Sequence, residues 1–177
     1  SPRDFHGLKI RVMESPVMIN SINAIGATAT PIPFSELFQS MKTGVVDGAE
    51  NSARIFMSYK YYEAGCNQFT LTEHFANQHI LIANAKWFAS LDPKYQKRIN
   101  EAIFISQQKF DEIWKHTTEE SLCEMQKHGG MVNEINKTPF ITRANKVIEQ
   151  FSDRYPVESE ELLFDIMNIR NESFDNK

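Results

Sequence analysis

Residues that could bind an anion follow three short strand-like segments in the first third of the chain. Arginine can pair with a carboxylate through two parallel hydrogen bonds, and carboxylate or carboxamide side chains can hydrogen-bond hydroxyl groups. The carboxyl ends of parallel strands meet at one edge of a sheet, where ligands commonly bind. The pattern therefore predicts a site for a small hydroxylated anion. The candidate residues are Arg11, Glu14, Ser15, Phe34, Glu50 and Asn51.

Each candidate, taken singly, also has a structural interpretation, and for single residues we favour it over the functional one. Arg11 is then a strand-edge residue paired with a local Asp or Glu, and Phe34 is an ordinary core side chain. The functional hypothesis rests on the combination of charged, aromatic and carboxamide groups at successive junctions.

Alternating strands and helices position these residues. Residues 8–12 predict a strand, because apolar and charged residues alternate there. Ser15 and Pro16 predict the start of a helix, and Gly26 predicts its end. A further strand is predicted at 28–30, a short strand and turn at 45–48, and helices at 35–43 and about 55–59. This order predicts an α/β fold in which helices cover a parallel sheet.

One unusually long helix is predicted in the second half of the chain. Asp92 and Pro93 form a cap and a first helical residue, and neither Gly nor Pro occurs again before Gly129. About 35 residues at about 1.5 Å each span roughly 50 Å, so this helix is expected to brace two units. One side of it carries Tyr95, Ile99, Ala102, Ser106, Phe110, Ile113 and Thr117. The other predicted elements are extended segments at 66–71 and 79–84, a short helix at 86–90, a strand at 131–135, and helices at 138–154 and 158–170.

Longer sequence motifs surround the three junctions. GLKIRV occupies residues 7–12, IGATATPIPFSELFQSMKTGVVDGAEN residues 25–51 and KYYE residues 60–63, and LTEH at 71–74 and LDPKYQK at 91–97 follow in order. These motifs resemble the solute-binding proteins of TRAP transporters, the tripartite ATP-independent periplasmic systems of bacteria. The combination of FSE, TGVVDG and EN at these spacings is highly specific, and the resemblance extends to about residue 155.

The resemblance implies a periplasmic-binding-protein fold of two lobes, each with a parallel or mixed sheet flanked by helices. Residues 1–90 would form the ligand-binding second lobe, 91–128 the long interlobe helix, and 129–177 the C-terminal strand and helices of an incomplete first lobe. Family members carry an N-terminal lobe before this point, so we expect a C-terminal part of a longer protein or a truncated gene product. Its uncovered lobe interface would favour a homo-oligomer.

The resemblance also implies roles for individual residues. Arg11 would hold the ligand carboxylate, Phe34 would line the pocket, and Asn51 would meet the carboxylate region. Glu14, within the motif MESP, is closer to the branch that handles sugar acids such as diketogulonate than to the sialic acid branch. Contacts that vary between family members are implied at Glu14, Ser15 and Gln78.

By this resemblance, the protein would capture an organic acid in the periplasm and deliver it to TRAP membrane permease subunits, without catalysis. The chain opens at Ser1 without a basic-then-apolar leader, so we expect that a signal peptide was removed or that the chain starts within a longer protein. Two alternatives stay open. One is an α/β enzyme acting on a carboxylated sugar, with Glu14 or Glu50 as acid or base; the other is a remnant that binds no ligand.

Composition and motif spacing argue against several other classes of protein. A net charge of −4 over 177 residues argues against sequence-independent binding of nucleic acid, and apolar runs such as 80–83 are too short to cross a bilayer. The five histidines lack metal-ligand spacing, and GxGxxG, P-loop and GxSxG motifs are missing, so we expect neither metal nor cofactor. For Cys66 and Cys123, two buried thiols are favoured over one disulfide.

Overall fold

The computed structural model describes residues 1–75 and 80–154, with side chains described as far as residue 150. The helices are α1 (Pro16–Ile25), α2 (Leu37–Lys42), α3 (Ala53–Ser58), α4 (Ala85–Ser90), α5 (Pro93–Lys127) and α6 (Thr138–Arg154). The strands are β1 (Lys9–Val12), β2 (Thr28–Pro31), β3 (Gly48–Ala49), β4 (Gln68–Leu71) and β5 (Met131–Glu134). Short 3-10 helices cover Pro2–Phe5, Phe34–Glu36 and Tyr61–Ala64.

These residues form two compact units. The first comprises Ser1–Glu50 together with the segment that begins at Ile135, and the second comprises Asn51–Glu134. Each unit combines parallel strands with helices, which confirms the predicted α/β fold class. The predicted boundaries at residues 90 and 128 refer to the lobes of a complete two-lobed protein, and they stay a prediction.

A three-stranded parallel sheet forms the centre of the first unit. Its strand order is β2-β1-β3, so β1 is the central strand. In the register of the sheet, Arg11 lies opposite Thr30 on one side and Ala49 on the other. Apolar side chains of β1 and α1 pack together because each element turns one apolar side inward. This buried cluster consists of Val12, Met18, Ile22 and Ala27.

Helix α1 begins and ends as the sequence predicts, and α6 packs against it. Pro16 lies in its first turn, where a missing N–H has no helical partner to lose. Gly26 ends the helix with a φ of 105°, a left-handed conformation that glycine adopts easily. Nη1 of Arg143 in α6 donates a hydrogen bond to the carbonyl of Ile25 at 3.0 Å. Arg143 therefore caps the C-terminus of α1.

The second unit is built from a two-stranded parallel sheet, β4 with β5, and the helices α3 and α5. Helix α3 packs on α5, and the guanidinium of Arg54 lies 5.2 Å from the ring centroid of Trp114. Phe56 of α3 meets the ring of Phe69 in β4 edge to face. These contacts tie the short helix to both the long helix and the sheet.

Helix α5 has the predicted bounds and a length of 35 residues. The Asp92 side chain accepts a hydrogen bond from the N–H of Lys94 at 2.9 Å, which is the predicted cap. Met125 near the C-terminus is buried, whereas Phe104 and Ile105 in the middle are 60% and 65% exposed. The middle of the helix therefore presents apolar side chains to solvent.

The extended segment predicted at 79–84 forms no strand over residues 80–84. The apolar composition favours a strand, but an extended backbone needs a hydrogen-bonding partner. Within the part of the chain that the structure describes, no segment pairs with residues 80–84, and Ile82 is 85% exposed. His79 and the helix predicted at 158–170 lie outside the described residues.

The third strand is also displaced from its predicted position at 45–48. The N–H groups of Val45 and Val46 donate to the carbonyl of Ser40 in the turn after α2. The N–H of Asp47 donates to the carbonyl of Lys9 in β1 at 2.8 Å, and the strand follows at Gly48, which lies opposite Ile10. The N–H groups of Val45 and Val46 are hydrogen-bonded within the turn, so they do not pair with β1.

Cys66 and Cys123 do not form a disulfide. Cys66 is half-buried, and this burial raises the pKa of its thiol. Cys123 is exposed, so the prediction of two buried thiols is wrong for this residue. Ser121 and Met125 are buried on α5, and helical geometry puts the residue midway between them on the opposite side.

The described residues contain neither a membrane-spanning helix nor a cluster of metal-binding side chains. No helix in this part of the chain combines the length and the apolarity that crossing a bilayer requires. No group of three or more His, Cys, Asp or Glu side chains there is arranged so that it could hold a metal ion.

Candidate functional site

Arg11 is a buried cation at the end of the central strand of the first unit. Its side chain is 4% exposed, and its Nε donates a hydrogen bond to the carbonyl of Ile32 at 2.8 Å. Among the described residues, no acceptor is hydrogen-bonded to its two terminal NH2 groups. Because β1 has a neighbour on each side, Arg11 is not the strand-edge residue of the structural interpretation. One side of the guanidinium is thus fixed, and the fork that binds carboxylates remains available.

Phe34 lies beside this guanidinium. The Cζ atom of Arg11 is 5.8 Å from the centroid of the Phe34 ring, within the range of a cation–π interaction. Phe34 is 40% exposed, so it is not an ordinary core side chain. An aromatic ring in this position both orients the guanidinium and offers an apolar face to a ligand.

The carbonyl of Ile32, which anchors Arg11, was not among the predicted site groups. Ile32 lies between two prolines, and its own N–H donates to the carbonyl of Val12 at 3.3 Å. The residue before a proline favours an extended backbone, which keeps this carbonyl out of the helix that follows. The sequence signal for it is the Pro-Ile-Pro segment, in which only Ile32 carries a backbone N–H.

Glu50 follows β3 directly and is half-buried. Burial raises the pKa of its carboxyl group, and the positive charge of Arg11 opposes this rise without cancelling it. The electrostatic influence of Arg11 on Glu50 shows that the first and third junctions share one electrostatic environment. A carboxyl group in this state can hydrogen-bond a hydroxyl, either as donor or as acceptor.

The first junction also contains Glu14 and Ser15, just before α1. Glu14 is exposed, and Ser15 is partly buried at the N-cap of the helix. The carbonyl of Ser15 accepts from the N–H of Ile19 at 2.9 Å, but its hydroxyl does not cap the described helix. Both side chains are therefore accessible, and their contact with a ligand stays a prediction.

Two predicted residues are not among the described residues of the first unit. Asn51 is the first residue of the second unit, and its Oδ1 accepts from the N–H of Ser52 at 2.9 Å. Gln78 lies outside the described residues. Their places in the same site remain predictions.

The geometry of the first unit defines a class of protein, an α/β domain with a buried guanidinium at the carboxyl ends of parallel strands. Residues 1–154 match the family described as bacterial extracellular solute-binding protein, family 7. The chain belongs to this family, which confirms the resemblance to TRAP solute-binding proteins.

Two curated relatives support this assignment. A solute-binding protein of Chromohalobacter salexigens is 33% identical over 173 residues, which cover 97% of this chain and 51% of the relative. The ectoine-binding periplasmic protein TeaA of Halomonas elongata is 30% identical over 182 residues, which cover 98% of this chain and 53% of the relative. The chain thus spans about half the length of the curated relatives that it matches.

A solved structure agrees in fold. The chain is similar to a TRAP periplasmic solute-binding protein from Chromohalobacter salexigens with bound D-glucuronate, with a TM-score of 0.83 and 33% identity. The match covers 95% of this chain and 56% of that protein. Both comparisons point to the same kind of ligand-binding domain.

Proposed function

We propose that a full-length protein containing this chain binds a sugar acid in the periplasm and delivers it to the membrane permease of a TRAP transporter. The observation that carries this proposal is the buried Arg11, which is hydrogen-bonded through Nε and has two NH2 groups left for a carboxylate. Similar proteins are named for ectoine or were solved with D-glucuronate, and both of these ligands carry a carboxylate.

In this proposal, each site residue has a separate task. Arg11 pairs with the ligand carboxylate, and Phe34 packs against the ligand beside the guanidinium. Glu50 and Asn51 hydrogen-bond hydroxyl groups or the carboxylate region. The variable contacts that set the preference for one ligand are Glu14, Ser15 and Gln78.

We also propose that no bond of the ligand is made or broken. In the first unit, the buried charged group next to the ligand is a guanidinium, which does not exchange its proton near neutral pH. Such a group binds and orients an anion but is a poor general acid or base. The alternative function as an enzyme would assign acid–base catalysis to Glu14 or Glu50.

Calorimetry with a ligand panel tests this proposal. The full-length protein should bind D-glucuronate, while D-glucose, which lacks the carboxylate, should bind at least about a hundredfold more weakly, because a charge-assisted pair is lost. Equal affinity for the two sugars would contradict the proposal. Proton NMR of D-glucuronate incubated with the protein should give an unchanged spectrum, whereas a new product would favour the enzyme.

A further inference from the structure

A groove between α1 and α6 in the first unit contains none of the candidate site residues. It is open to solvent on one side and has a volume of about 520 Å³. It is lined on one side by Asn20, Asn23 and Ala24 and on the other by Arg143, Lys146, Val147 and Gln150. The two helices that form it are in direct contact, so its walls are part of the packed unit.

The polar lining of this groove is suited to a negative charge. Arg143 and Lys146 are one helical turn apart, so their side chains lie on the same side of α6. Among the described residues, no carboxylate lines the groove, although the chain as a whole has a net charge of −4. The groove thus has two cationic side chains and neutral carboxamides in its lining.

Two hydrogen bonds hold this lining in place. Nη1 of Arg143 donates to the carbonyl of Ile25, which fixes the guanidinium at the C-terminus of α1 and leaves Nε and Nη2 for another acceptor. Oδ1 of Asn23 accepts from the N–H of Ala29 at 2.9 Å. The acceptor of Asn23 is therefore occupied, and its NH2 group is the part that can serve a ligand.

We propose that this groove is a second binding site, which takes a small oxyanion, a phosphate or a carboxylate group, between Arg143 and Lys146. Asn20 and Asn23 donate further hydrogen bonds to the anion, and the apolar side chain of Ala24 contacts the rest of the ligand. This site is independent of the proposed carboxylate site at Arg11.

A heteronuclear NMR titration of the whole chain tests the proposal and separates the two sources of the anion. One arm uses inorganic phosphate and the other D-glucuronate, each at constant ionic strength so that general screening does not change. We expect saturable shifts of the backbone amides of 20–24 and 143–147 in at least one arm. Non-saturable shifts, or shifts only at the carboxyl ends of β1, β2 and β3, in both arms would overturn the proposal.

Matched variants distinguish a built site from general charge attraction. Lys146→Gln removes one cation from the groove, and Asn20→Asp adds a carboxylate to it; both residues are exposed, so both variants should fold. Each variant should lower the affinity for the anion about five- to tenfold, as for loss of a partly solvated charged pair. Lys86→Gln removes the same charge from an exposed position in α4 and should change the affinity less than about twofold. Equal weakening by Lys146→Gln and Lys86→Gln would overturn the proposal.

Discussion

Arg11 is deeply buried, and its two NH2 groups make no hydrogen bond to any described residue. Burying a guanidinium costs free energy unless hydrogen bonds or an opposite charge compensate. Here the compensation from the first unit consists of one hydrogen bond to Ile32, the ring of Phe34 and the electrostatic influence of Glu50. A ligand carboxylate would supply the bidentate partner that this arrangement leaves open.

The first prediction concerns the shape of the cation. Arg11→Lys keeps the positive charge but removes both the fork and the Nε hydrogen bond to Ile32, so the affinity of the full-length protein for D-glucuronate should fall at least about tenfold. Calorimetry measures this loss at low and high salt. The control is Lys9→Arg, an exchange between the same two residue types at an exposed position of β1, which should leave the affinity unchanged. An equal effect of both variants would contradict the role of the fork.

The second prediction follows from the raised pKa of Glu50. A carboxyl group with a higher pKa in the folded than in the unfolded chain favours folding while it is protonated, and this contribution is lost as the pH rises through the folded-state pKa. Glu50→Gln should therefore raise the free energy of unfolding relative to wild type at pH 7 more than at pH 4. Urea denaturation at both pH values measures the difference. A larger gain at pH 4 would show that the sign is wrong.

Boundaries between elements decide which groups reach the site, and Gly26 sets one of them. With a φ of 105°, Gly26 ends α1, and a Cβ at this position would lie 3.2 Å from Nη1 of Arg143. The third prediction is that Gly26→Ala lowers the free energy of unfolding by about 1–2 kcal/mol, because an L-residue is strained in this conformation. Chemical denaturation measures the loss.

A matched control for this prediction exists in β3 of the same unit. Gly48 does not have a positive φ, and a Cβ there would meet only the Cδ1 of Ile10 at 3.5 Å, an ordinary contact. Gly48→Ala should therefore change the stability by less than about 0.5 kcal/mol. If the two alanine variants were equally stable, backbone conformation would not explain the end of α1.

Elements with local signals were predictable from the sequence. Helix α1 lies between a cap with proline and a glycine, and α5 between Asp92 and Gly129, because capping chemistry acts within a few residues. Whether the extended segment at 80–84 pairs as a strand was not predictable, because strand formation depends on a distant partner. The Ile32 carbonyl was missed because its use depends on the side chain of Arg11, 21 residues earlier in the chain.

At the scale of the whole molecule, the chain spans about half the length of the curated relatives that it matches. A carboxylate held by one unit alone stays partly in water, where an ion pair contributes only about 0–1 kcal/mol. The fourth prediction is that this chain by itself binds D-glucuronate weakly or not at all. Calorimetry of the isolated chain checks this, and micromolar binding would contradict it.

The isolated chain should also associate with itself. Exposed apolar side chains gather in the middle of α5, including Ile103, Phe104, Ile105 and Phe110. A contiguous apolar surface favours association in water. The fifth prediction is a dimer or larger oligomer in sedimentation velocity, which Phe104→Glu together with Ile105→Glu should shift toward monomer. A wild-type monomer at all concentrations would contradict this prediction.

Family membership was predictable at this scale because motifs such as GLKIRV, FSE and TGVVDG are dense and ordered. The binding role of Arg11, which stands within GLKIRV, stays a prediction. The exposure of apolar side chains on α5 was expected from the uncovered lobe interface that the resemblance implies, and not from the helical pattern alone. Helical spacing identifies an apolar side, but it does not reveal what packs against that side. The prediction that Cys123 is buried was wrong for a similar reason, since residue type alone does not fix the direction of a side chain on a helix.

The central claim is that Arg11 holds the carboxylate of a sugar acid. A calorimetric cycle on the full-length protein tests it, with wild type and Arg11→Ala each titrated with D-glucuronate and with its neutral amide, D-glucuronamide. We predict that Arg11→Ala reduces the binding free energy of D-glucuronate by on the order of 3–5 kcal/mol, as for loss of one partner of a buried ion pair. The binding free energy of the amide should fall much less. Equal losses for the two ligands, or no loss for D-glucuronate, would contradict the account.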